Sequence, residues 1–220
     1  MQAKTRRKLA MAVRVLEFFK AHPCDQASYR EAIRELEDCL SRANALVARR
    51  EAVALRIEAV TLRREEVSRS IRRDLHPRVA RASRALAASR PDLAEVFRTA
   101  RGGTDRGFLI AARILAQADQ LSVDPVILTD LGQAAAELSA ILDTIDELHA
   151  AAQREAGELA KVVLEMSRLI GQLDGLNRHR FRTDSALQEA WASARNLAGP
   201  YRPRPVGSSD GRTRHEAPAA

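Results

Sequence analysis

Large aromatic side chains, cysteine and lysine are scarce in this sequence. Only 4% of its 220 residues are aromatic, and four of its 36 basic residues are lysines. The two cysteines, Cys24 and Cys39, are too few for a disulfide framework or a zinc site. The hydrophobic share of 45% is nevertheless too high for a wholly disordered chain, which lacks the apolar surface to offset its ordering entropy. We therefore expect an aliphatic core and, from the cysteine usage, a cytoplasmic location.

Long apolar runs are absent as well. The basic start is followed by an apolar stretch that Arg14 and Glu17 interrupt, and this stretch is too short and too charged for a signal peptide. No run of about 18 apolar residues occurs, so we expect no membrane span.

Proline is missing between Pro125 and Pro200, which leaves room for one very long helix that Asp124 could cap. Within that interval, apolar residues recur at alternating spacings of four and three. The positions are Ile127, Leu131, Ala134, Leu138, Ile141, Ile145, Leu148, Ala152, Glu155, Leu159, Val162, Met166, Leu169, Leu173 and Leu176. Only Glu155 is polar. Such sustained heptad spacing is typical of a helix whose apolar seam follows a partner helix.

A noisier version of the same spacing runs through residues 27–75, and the proline at 77 ends or kinks it. Its positions are Ile33, Leu36, Leu40, Ala43, Val47, Arg50, Ala54, Ile57, Val60, Arg64, Val67 and Ile71. Residues 42–90 carry thirteen arginines against five acidic residues, whereas 125–176 carry nine acidic residues against three basic ones. Opposite charges beside a seam guide the choice of partner helix and direction.

These patterns predict an all-α fold: an elongated helical bundle in which 27–75 and 126–176 form a long antiparallel, coiled-coil-like pair. Both orientations of the pair are sterically allowed, and pairing of the seam between two chains is an alternative. We expect one domain over 1–198, with 4–21 and 184–198 packed at one end and helices in 77–122 at the other. The basic, Pro/Gly/Ser-rich segment 199–220 is predicted to be disordered.

The register of this pair predicts one structural contact. If the helix ends are level, Arg50 faces a site within one turn of Glu155, so we expect these two residues to form a seam pair that defines the register. The alternative is that the Glu155 carboxylate simply reaches water at a thin point of the seam.

No catalytic, cofactor-binding or metal-binding constellation stands out, so no cofactor is expected. The nearest match to a di-iron motif is the stretch from Asp146 to His149, which occurs once and begins with Asp, whereas such sites need two Glu-x-x-His pairs and further carboxylates. Neither cysteine has a convincing base nearby in the sequence.

Two arginine groups are candidate contacts for nucleic acid or another anion. They are Arg69, Arg72 and Arg73 in the first group, and Arg178, Arg180 and Arg182 around Phe181 in the second. The first could meet phosphates along a helix face, and the second mixes arginine with an aromatic ring, as base-stacking segments do. The alternative is neutralisation by the acidic helix.

The favoured interpretation is a non-enzymatic helical scaffold or protein–protein interaction module with an unknown protein partner, a homodimer being one option. Nucleic-acid binding through the arginine groups and the basic tail is the disfavoured alternative. An enzyme would need a pocket that the sequence does not reveal.

Overall fold

The computed structural model describes residues 3–75, 77–78, 105, 109 and 124–199. These residues are predominantly helical, and no strand occurs among them, so the predicted all-α class is confirmed. Four α-helices lie in this part of the chain: α1 (Ala3–Ala21), α2 (Ala27–Ser70), α3 (Pro125–Arg180) and α4 (Ser185–Ala194). A π-helix, Ile71–Leu75, follows α2 directly. The helices predicted within 77–122 and the tail predicted to be disordered lie almost entirely outside the described residues.

Side-chain caps begin two of the helices, and the first of them is the Asp124 cap that the sequence predicts. The backbone N–H of Val126 donates to Asp124 Oδ1 at 3.0 Å, with Pro125 at the first helical position. The backbone N–H of Leu187 donates to Asp184 Oδ1, also at 3.0 Å. Each carboxylate satisfies an amide that has no partner inside its helix.

The C-terminal end of α3 corrects an expectation. The sequence predicts the paired helix over 126–176, but the helix continues to Arg180. The extra turn is stabilised by Arg178, whose Nη2 donates to Asp174 Oδ2 at 2.9 Å four residues earlier. It also carries the chain to Phe181, which is buried.

The predicted seams are the covered faces of both long helices. All fifteen seam positions of α3 are buried or half-buried, and so are eleven of the twelve positions in 27–75. The exception is Ala54. Heptad spacing therefore identified the faces that the fold protects from water.

The described residues fall into two compact units. Unit 1 draws on Met1–Ala43 and Ala160–Ala220, and unit 2 on Asn44–Leu159. Unit 1 contains a cluster of five aromatic rings: Phe18, Phe19, Tyr29, Phe181 and Trp191. The Phe18 ring lies 5.3 Å from that of Trp191, so α1 packs on α4.

Unit 2 has an aliphatic core. Val67 and Ile71 are buried with Leu138 and Ile141. Partly buried apolar side chains pack against them: Val60, Leu75, Leu109, Ala134, Leu142 and Ile145. On the surface of the same unit, Arg63 Nη2 lies 2.6 Å from Glu137 Oε1.

Candidate functional site

An apolar stripe on α2 is left open to water. Six residues spaced alternately by three and four share one face of the helix, and every one of them is exposed: Ala45, Ala48, Ala52, Leu55, Ala59 and Leu62. Leu55 is 67% exposed and Leu62 is 60% exposed. We call this set the α2 stripe. It lies entirely in unit 2, and it is distinct from the seam that the fold covers.

The α2 stripe differs from an isolated exposed leucine in the residues that lie one helical turn away. Leu164 on α3 is 69% exposed, but of the four residues one turn away only Ala160 is apolar, and the other three are Lys161, Ser167 and Arg168. Single exposed apolar residues are ordinary, whereas a contiguous apolar surface marks an interaction site. The α2 stripe is continuous along the helix, so it is a candidate interaction surface.

The sequence contains a signal for the α2 stripe. The sequence analysis followed only one apolar face of this helix and therefore missed the second. The spacing of three and four holds on two faces of α2 between residues 45 and 62, and four of the six stripe residues are alanines. Alanine is compatible with both a close-packed core and a solvated surface. The two apolar faces of α2 can be told apart only by their burial in the folded chain.

The first predicted arginine group lies where α2 passes into the π-helix. Arg69, Arg72 and Arg73 are exposed and, with Glu65, line a cavity of about 450 Å³. Arg72 Nε donates to the carbonyl oxygen of Ser68 at 3.3 Å, and Arg73 Nε is 3.9 Å from Asp74 Oδ1. These long contacts leave most of the positive charge facing water.

The second predicted group is built into unit 1. Arg180 Nη2 donates to the carbonyl oxygen of Pro23 at 3.0 Å, and its guanidinium lies over the rings of Tyr29 and Phe181, 5.5 and 5.1 Å from their centroids. Phe181 is only 2% exposed, so its ring is not free to stack on a base. Arg178 pairs with Asp174, whereas Arg182 is exposed.

A carboxylate that the sequence analysis did not single out organises this region. Asp174 Oδ1 accepts from Trp191 Nε1 at 2.9 Å and lies 3.2 Å from Arg195 Nε, while Oδ2 accepts from Arg178. The charge-assisted contacts join α3 to α4 beside the aromatic cluster. Asn177, one turn further on, is 1% exposed, and neither its amide nitrogen nor its amide oxygen has a hydrogen-bond partner.

The predicted seam pair is not formed. No hydrogen bond or ion pair within 4 Å joins Arg50 to Glu155, although both are half-buried in unit 2. Glu155 Oε2 is shielded from water without a hydrogen-bond partner. The half-exposed arginine keeps contact with water, and ordering its long side chain into a pair would gain little.

Cys39 does not stand in a nucleophilic arrangement. Cys39 is fully buried, and burial is the main cause that raises the pKa of its thiol, with the Glu165 carboxylate adding to the effect. Arg42 Nη2 lies 3.0 Å from Cys39 Sγ but also pairs with Glu165 at 2.9 Å. A thiol with a raised pKa stays protonated near neutral pH and is a poor nucleophile.

The described residues were also compared with the ligand sets that metal sites need. Among the described residues, no group of three or more His, Cys, Asp or Glu side chains could hold a metal ion.

Helix α3 contains a window long and apolar enough to cross a membrane by length and composition. The sequence analysis expects no membrane span, and one such window, of which 22% is buried, is by itself weak evidence for one.

No family model, no curated protein and no solved structure matches the chain. Its function must therefore be inferred from its own residues.

Proposed function

We propose that this chain is a non-enzymatic helical scaffold that binds a protein partner through the α2 stripe. The observation that carries the proposal is the exposure of six consecutive apolar heptad positions on one face of α2. Burying Leu55 and Leu62 against a partner would gain about 25 cal/mol for each Å² of apolar surface removed from water. A helix is the partner element that such spacing fits best.

A photoreactive amino acid at position 55, compared with the same amino acid at position 164, tests this function in cells. Both positions hold leucines of nearly equal exposure on long helices, but only position 55 belongs to the α2 stripe. We expect discrete protein adducts from position 55 and none above background from position 164. Equal labelling at the two positions would refute an interaction role for the stripe.

We also propose that α2 and α3 form the antiparallel, coiled-coil-like pair expected from the sequence. Within unit 1, Arg180 near the end of α3 contacts Pro23 just before α2, whereas Arg42 further along α2 pairs with Glu165. From Pro23 to Arg42 the residue number rises, while the contacted residue of α3 goes back from Arg180 to Glu165. This order supports opposite directions for the two helices. Within unit 2, the Arg63–Glu137 pair joins the same two helices.

Zero-length cross-linking tests the antiparallel pair. Arg42→Lys places an amine where a carbodiimide can couple it to the Glu165 carboxylate, and Arg63→Lys does the same for Glu137. We expect peptide mass spectrometry to find both amide links. A link from position 42 to the Glu137 region instead would contradict the arrangement.

Nucleic-acid binding is the second candidate function, favoured by one observation. Arg69, Arg72 and Arg73 present largely unneutralised charge at the end of α2. Such a surface would bind phosphates with an affinity that falls steeply as salt is added. We would measure DNA and RNA retention against salt for the native chain and for a triple Arg→Gln variant. Retention that is weak near physiological salt, or unchanged in the variant, would remove this candidate.

A further inference from the structure

The α2 stripe is bordered by rows of opposite charge. If its residues occupy the a and d positions of a heptad, the g positions on one side are Glu51, Glu58 and Glu65. The e positions on the other side are Arg49, Arg56 and Arg63. All six side chains are exposed. One edge of the stripe is therefore acidic from Glu51 to Glu65 and the other is basic from Arg49 to Arg63, each over about 21 Å of helix, while the uncharged Asn44 occupies the first g position.

Most of these charges have no counter-ion on their own helix. The residues three and four positions from Arg49, Glu51, Arg56 and Glu58 are apolar, apart from Thr61 beside Glu58. Among the described residues, no ion pair involves any of these four. Side chains three or four apart are the ones that can pair along a helix, so the two rows are not arranged to stabilise α2 itself.

Because the two edges of the stripe carry opposite charges, the stripe of a second copy can match these charges in only one relative orientation of the two helices. In a parallel helix pair, each g residue faces the e residue five positions further along the other helix. Glu51 of one copy then faces Arg56 of the other, and the two-fold axis repeats the pair on the opposite side. An antiparallel pair would place glutamate against glutamate and arginine against arginine.

We propose that the α2 stripe is a parallel homodimerisation surface, occupied by the α2 stripe of a second copy of this chain. The proposal rests on the interaction function proposed above and names its partner. The leucines at d supply the apolar burial, while the alanines at a allow the two helices to approach closely. Because Arg63 already pairs with Glu66 and Glu137, the pair between Glu51 and Arg56 contributes most to the choice of direction.

Sedimentation equilibrium of the purified full chain, in a concentration series up to about 500 µM, tests whether the dimer forms. We expect Leu55→Lys to weaken the dimer by at least about 100-fold, since symmetry removes two buried leucines. Leu164→Lys, a change of equal exposure outside the stripe, should leave the association unchanged. Circular dichroism checks that both variants keep the helical content of the native chain.

A charge exchange tests the direction of the pair. Glu51→Arg should weaken a parallel dimer about tenfold, and adding Arg56→Glu to the same chain should restore it. In an antiparallel dimer, Glu51→Arg would relieve a repulsion between glutamates and tighten the association. A tighter dimer on Glu51→Arg would therefore overturn the parallel arrangement.

The remaining outcomes separate this inference from the function on which it rests. A native chain that stays monomeric throughout the series overturns the homodimer, as does a dimer that Leu55→Lys leaves intact. If the chain is monomeric but position 55 still cross-links to a different protein, the interaction function survives with another occupant. If position 55 yields no adduct of any kind, both proposals fail.

Discussion

The two units use the same helix in different ways. In unit 1, α2 buries Tyr29, Ala32, Leu36, Cys39 and Ala43, whereas no residue of α2 between Ala43 and Val67 is buried. In unit 1 the Phe19 ring of α1 packs against Tyr29 near the start of α2, with 5.8 Å between the ring centroids. The stretch of α2 in unit 2 is covered along one face only. We therefore expect unit 1 to be the more firmly packed region, whereas unit 2 keeps the α2 stripe exposed.

The largest expected effect is the loss of Trp191 from unit 1. Trp191→Ala removes contacts with Phe18 and Phe19 and leaves Asp174 without one donor. We expect the free energy of unfolding to fall by about 3–5 kcal/mol, as for other buried aromatic truncations. Urea denaturation followed by circular dichroism would measure it. A loss below about 1 kcal/mol would show that the aromatic cluster does not stabilise unit 1.

A matched truncation in the core of unit 2 sharpens the comparison. Leu138→Ala empties a site that is 1% exposed beside Val67 and Ile71. We expect a loss of about 2–4 kcal/mol, the lower values applying where the surroundings can collapse into the cavity. The exposed Leu55→Ala is the control and should change the stability of the monomer by less than about 0.5 kcal/mol. Equal losses at the two leucines would contradict the burial difference within unit 2.

A smaller effect of opposite sign is expected at Asn177. Its amide is buried without hydrogen-bond partners, which costs about 1–3 kcal/mol, and leucine has nearly the same shape as asparagine with methyl groups in place of the amide oxygen and nitrogen. Asn177→Leu should therefore raise the free energy of unfolding by about 1 kcal/mol. Asn177→Asp, which would bury a charge, should lower it. Destabilisation by both changes would indicate that the amide makes a contact essential to unit 1.

The smallest expected effect is a change in alkaline stability. Burial raises the pKa of Tyr29 above its ordinary value of 10.0, although Arg180 opposes the shift, and the buried hydroxyl lacks a partner. As pH rises through 10.0, the unfolded chain loses this proton before the folded chain does, so stability falls. Tyr29→Phe should flatten that decline. Because the Cys39 pKa is also raised, from 9.0, the comparison is best made in a Cys39→Ala background, and unchanged slopes would contradict the assignment.

Much of the helical framework was predictable because its causes are local or periodic. The Asp124 and Asp184 caps depend on residues within three positions, and heptad spacing identified the covered face of α3. The candidate site was harder to predict. Arg180 and Phe181 suggested base stacking, but the ring is buried and the guanidinium contacts Pro23 from the far side of the sequence. The expected contact of Arg50 with Glu155 depended on side-chain positions that spacing does not determine.

The order of the amino acids alone determined that the described part of this chain is helical, where two of its helices begin and which of their faces are apolar. These properties follow from hydrogen bonds and periodicities that act over a few residues. Tertiary structure decided which of two similar apolar faces of α2 is covered, and it brought Asp174 to Trp191 and Arg195. Both outcomes depend on contacts between segments distant in the chain, because burial is a property of the whole packed unit and no local pattern specifies it.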